Sequence, residues 1–114
     1  MNNVDLRLPM EVANGADVGV KVDWLVKWFH EKDCSASWCS VYMACCRVAI
    51  SRYNQLTGTR EVESITYAHS AASDPVVATR AAIQNAICDG VTQTDLVGKF
   101  SAIAQYVLSQ IGTG

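Results

Sequence analysis

The segment from Trp38 to Tyr53 constrains the fold more than any other part of the chain. Its polar positions collapse onto one narrow stripe, Ser40, Arg47 and Ser51, with Asn54 just beyond. Trp38, Cys39, Val41, Tyr42, Met43, Cys45, Cys46, Val48, Ala49 and Ile50 fill the rest. An element that is apolar around most of its circumference must lie in the middle of a domain. The reading that follows is a central helix, so its neighbours are expected to pack around it as helices too.

Those neighbours carry mixed signals. Val18, Val22, Leu25 and Phe29 recur at helical spacing, Trp24 and Trp28 widen the stripe, and Lys21, Lys27 and Glu31 take the other side. A helix from Asp17 to Lys32 is expected, although Val18, Val20 and Val22 also alternate as an extended first turn would. "NQLTGTRE" reads as a loop. "REVESITYAHSAAS" suits a helix through Val62, Ile65, Ala68 and Ala72, while "VESITY" also suits a short strand; the helix is favoured. "SDP" is a sharp boundary, with Asp74 as cap and Pro75 in the first helical position, where its missing N–H costs nothing. That helix should close at Asp89 and Gly90, with the glycine turning left-handed. In "VTQTDL", Thr92 and Asp95 stand as a capping box and Val91 and Leu96 as a hydrophobic staple, which predicts a last helix running to Ile111.

The front of the chain follows another period. Val4, Leu6, Leu8, Met10 and Val12 alternate with Asp5, Arg7, Pro9 and Glu11, the two-residue repeat of a strand with one dry face. The expected fold is therefore all-α. It is a single-domain bundle of four or five helices over residues 17–114, preceded by an extended, strand-like arm over residues 1–16. A bundle has no sheet to lend a lone strand, and unpaired backbone groups are costly. The arm is thus expected to pair across a two-fold axis or dock on a neighbour, making Val4, Leu6, Leu8, Met10 and Val12 an oligomer interface.

Composition supports association. Half the residues are hydrophobic and 18% are charged, against roughly 25% charged in an average soluble domain. A chain of 114 residues has too much surface for its volume to hide that fraction. A homo-oligomer, dimeric or larger, or an obligate protein partner is expected. Net charge −2 gives no electrostatic reason for nucleic acid or an anionic membrane to be the main partner. No run of apolar residues is long enough to span a bilayer, and no basic stretch leads into an apolar core at the front. With an odd number of cysteines, five, the expectation is a cytoplasmic, intracellular protein with reduced thiols.

Candidate chemistry is sparse. If the first helix continues far enough, His30 and Cys34 share a face and could chelate zinc with Cys39, with His69 or Cys88 as a fourth ligand. No Cys-x-x-Cys or His-x3–5-His pair supports this, so no metal or cofactor is expected, and zinc remains the alternative. Cys45 and Cys46 read as small hydrophobes. Cys34 beside His30 is the one pair resembling a nucleophile and base, and no catalytic or phosphate-binding motif accompanies it; no enzyme is expected. Trp24, Trp28 and Trp38 read as core before interface. Arg47, Arg52 and Arg60 lie in a stretch without acids from Cys34 onward, which raises an RNA-contacting alternative through Arg47 and Arg52. The function expected is a non-enzymatic, self-associating assembly subunit or protein-interaction adaptor, of viral or intracellular regulatory type. The alternatives are a zinc-dependent regulatory module using His30, Cys34 and Cys39, and the RNA contact.

Overall fold

The computed structural model describes residues 2–32 and 38–111, with side chains described for 2–29 and 41–111. The fold is α+β. A four-stranded antiparallel sheet in the order β1-β2-β3-β4 is followed by two helices that pack on it. The strands are β1 (Asn2–Arg7), β2 (Val18–Lys32), β3 (Trp38–Asn54) and β4 (Thr59–Ala72). The helices are α1 (Pro75–Val91) and α2 (Phe100–Gln110), joined through a 3-10 turn at Val97–Lys99.

The all-α bundle is thereby corrected. The segments expected as helices over Asp17–Lys32 and Trp38–Tyr53 are two long strands, paired from Val18↔Arg52 to Lys32↔Trp38. The physical reason lies in the even positions. Val18, Val20 and Val22 are buried and point to one face, opposite Arg52, Ile50 and Val48 across the pair. β-branched side chains fit a pleated surface better than a helix, where they lose rotamer freedom. The apolar circumference of 38–53 belongs to a strand with apolar groups on both faces. Residues 60–72 form β4, so the short-strand reading of "VESITY" describes them better than the helical one.

The strand-like arm is also relocated. β1 pairs antiparallel with β2 of its own chain, Val4 opposite Val22 and Leu6 opposite Val20. Leu8 continues the pairing by donating its N–H to the Val18 carbonyl at 2.9 Å, and the chain then turns through Pro9–Ala16. Asn14 (φ 55°) and Gly15 (φ 81°) both adopt the left-handed region there. That conformation suits glycine and is tolerated by asparagine, so "NG" marks the turn.

The helices cover one face, except toward the far end of β2, where Trp28 is 55% exposed. Ala78, Ala82, Ile83, Ala86 and Ile87 of α1, with Ile103 and Val107 of α2, meet Val20, Val22, Ala44, Val48 and Ile50 of the sheet in one core. Small residues bring α1 close. A Cβ on Gly90 would lie 3.1 Å from Ile50 Cδ1 and 3.3 Å from Thr66 Oγ1. Gly90 is therefore a contact point inside α1 and does not close the helix as a left-handed cap. Thr66 Oγ1 donates to the Ala86 carbonyl at 2.8 Å, tying β4 to α1 through a buried hydroxyl. The start of α1 is as the sequence reads: Asp74 Oδ1 accepts from the Val76 and Val77 amides at 2.8 and 3.1 Å, with Pro75 in the first turn.

The end of α1 differs from expectation. Thr92 is the cap that follows the C-terminus of α1, its hydroxyl donating to the Asp89 carbonyl at 2.7 Å, so the capping box does not form. Leu96 is nonetheless buried, and α2 begins only at Phe100. Asp95 turns to the sheet instead and accepts from Arg52 at 2.6 Å.

Candidate interaction surface

The sheet has a covered face and an open one. Because side chains alternate along a strand, the odd positions of β2 and β3 lie opposite the core-facing ones. Lys21, Asp23, Leu25, Lys27 and Phe29 of β2 and Met43, Cys45, Arg47 and Ala49 of β3 stand on the open face. From β4 they are joined by Ile65, Tyr67, His69 and Ala71, in register with Ala49, Arg47, Cys45 and Met43. No element of the described residues covers this face.

The open face is partly apolar. Ile65 is 42% exposed and Tyr67 71% exposed. Leu25, Cys45 and Tyr67 wall a shallow depression of about 480 Å³ that also touches Asp23 and Arg47. Arg47 Nη1 lies 3.5 Å from Asp23 Oδ2 across the β2–β3 pair, so its charge is already answered. Cys45 is exposed, whereas Cys46 points to the core, where burial pushes its thiol up to about 11. At that value the Cys46 thiolate is scarce at neutral pH, which fits a structural thiol and not a nucleophile.

The two outer edges of the sheet are unequal. β1 is short and ends against Pro9, with charged Asp5 and Arg7 on its wet side. β4 is long and contains no proline. Its irregularity is confined to the start, where Ile50 pairs with Ser64 but Ser51 pairs with Val62, so Glu63 is an extra residue. The bulge brings Glu63 to Arg52, with Nε to Oε1 at 3.0 Å. From Ser64 to Ala72 the strand runs without a carboxylate or a lysine or arginine, and among the described residues β4 pairs with β3 alone.

A cluster at the far end ties the turn before β2 to β4. Asp17 accepts from Arg60 Nη2 at 2.7 Å and from Arg7 Nη1 at 3.2 Å. The Arg60 hydrogen bond, more than the neighbouring charges, holds the Asp17 carboxyl below its usual range. The Asp95 carboxyl is lowered in the same way by its bond to Arg52.

Placed in this frame, the residues singled out from the sequence separate. Leu8 is buried in the chain's own core, Val4, Leu6 and Val12 pack partly against it, and Met10 is 60% exposed. Four of the five arm positions thus cover this chain's own core. His30 lies on a strand, in register with Ser40, and Cys39 is in register with Glu31; Cys34 lies outside the described residues. The helical turn that was to bring His30 and Cys34 onto one face is therefore absent through Lys32. No group of three or more metal-ligating side chains occurs among the described residues. His69 is a strand neighbour of Cys45 on the open face, and Cys88 is exposed on α1. Trp24 is partly buried against the core, Trp28 is 55% exposed, and Trp38 is placed as a strand position opposite Lys32. Arg47 and Arg52 fall on opposite faces of β3, each beside a carboxylate, so they do not form one basic patch. The bare β4 edge was missed from the sequence because it depends on recognising residues 60–72 as a strand.

No helix among the described residues is long and apolar enough to cross a membrane. No family model, curated protein or solved structure matches the chain.

Proposed function

We propose that the chain is a non-enzymatic assembly subunit that associates with copies of itself, and that the outer edge of β4 is where two copies meet. The observation that carries this reading is the contrast between the two sheet edges. Monomeric proteins blunt their edges with short strands, proline, charge or bulges, because a bare edge is a template for another strand. β1 has such features, and β4 from Ser64 to Ala72 has none of them. A strand can meet its own copy antiparallel about a two-fold axis, the commonest symmetry of homo-oligomers, joining two four-stranded sheets into one.

The overall shape supports the same reading. The radius of gyration is 16.1 Å, where a compact chain of this length has about 13 Å. The exposed surface of 6596 Å² exceeds the roughly 6,100 Å² expected at 12.4 kDa. One layer of helices on one face of a long sheet leaves Ile65 and Tyr67 in water beside the edge. An added strand would shield both.

The test uses a variant that the single chain tolerates. Tyr67→Asp places a carboxylate on an exposed position next to the edge, so it should leave the subunit folded while disfavouring a facing copy. The expected result by light scattering is loss of the oligomer, with circular dichroism and melting temperature close to those of the folded subunit. An oligomer of unchanged mass in this variant overturns the β4 assignment. Leu8→Asp is the contrasting variant, since Leu8 is buried at home; it should lower the melting temperature before any change in mass.

A further inference from the structure

We draw no further inference here: the strongest candidate, the shallow apolar depression on the open sheet face between Leu25, Cys45 and Tyr67, is an unpartnered surface, and nothing in the structure shows what covers it.

Discussion

On the helix-covered face of the sheet, Val20, Val22, Ala44, Val48 and Ile50 are almost wholly excluded from water, and Thr66 spends its hydroxyl on the Ala86 carbonyl. One residue further along each strand, the open face carries Lys21, Asp23, Arg47, Tyr67 and His69, with the Asp23–Arg47 ion pair across two of the strands. The same strands serve both faces, so backbone pairing alone does not distinguish them. What differs is the cost of change. The covered face is close-packed and has no spare volume, whereas the open face can exchange side chains with little effect on the fold. Stability therefore resides on one face, and the other face with its neighbouring edge is left available for contacts with other molecules.

The sharpest way to break this contrast is to place the same charge on both faces. Val48→Asp puts a carboxylate against α1, where it must stay ionised in an apolar layer or protonate, at a cost of several kcal/mol. Chemical denaturation should show the variant largely unfolded or severely destabilised, while Tyr67→Asp keeps a nearly normal unfolding midpoint for the isolated subunit. Equal losses at the two positions would erase the distinction between the faces.

A smaller effect is expected where helix and sheet touch most closely. Gly90→Val adds bulk at a site whose first carbon already meets Ile50 at 3.1 Å, so α1 must lift or Ile50 must move. Overpacking of this kind costs about 1–3 kcal/mol, readable as a lowered midpoint in urea. A midpoint equal to that of the unmodified chain would mean the helix does not lie as close as described. Asp74→Ala removes the acceptor for two amides at the start of α1 and should cost about 1 kcal/mol by the same measurement. No change would mean that the cap is not formed in solution.

The smallest effect concerns acid. The folded carboxyls of Asp17 and Asp95 titrate lower than in the unfolded chain because Arg60 and Arg52 donate to them. Their contribution is present above the unfolded value of about 3.9 and is lost as pH falls through the folded values. Both are exposed, so the contribution is slight. Asp17→Asn and Asp95→Asn should flatten the acid limb of the stability curve below about pH 4 and leave its shape near neutrality unchanged. An acid limb as steep as before would remove these pairs from the account.

Much of α1 was legible in the sequence, because Asp74 and Pro75 are local signals that act through the chain's own backbone. The loop before β4, in "NQLTGTRE", was legible for the same reason. The three long strands were not. In β3 both faces carry apolar groups, and periodicity cannot separate such a strand from a buried helix. Length then favours the wrong answer, since strands of this length are far above the usual five or six residues. In β2, Val18, Val20, Val22, Trp24 and Val26 alternate throughout, but Leu25 and Phe29 on the other face complete a helical stripe by coincidence of spacing. The two-residue period does identify the first strand, Asn2–Arg7, but its partner β2 is hidden because the spacing in β2 also fits a helix.

The mass of the unmodified protein in solution tests the central claim most directly. Light scattering over a concentration series through the micromolar range should give at least twice the 12.4 kDa of one chain, with dissociation only on dilution. A particle of one chain's mass throughout that range would contradict self-association and, with it, the role assigned to the β4 edge.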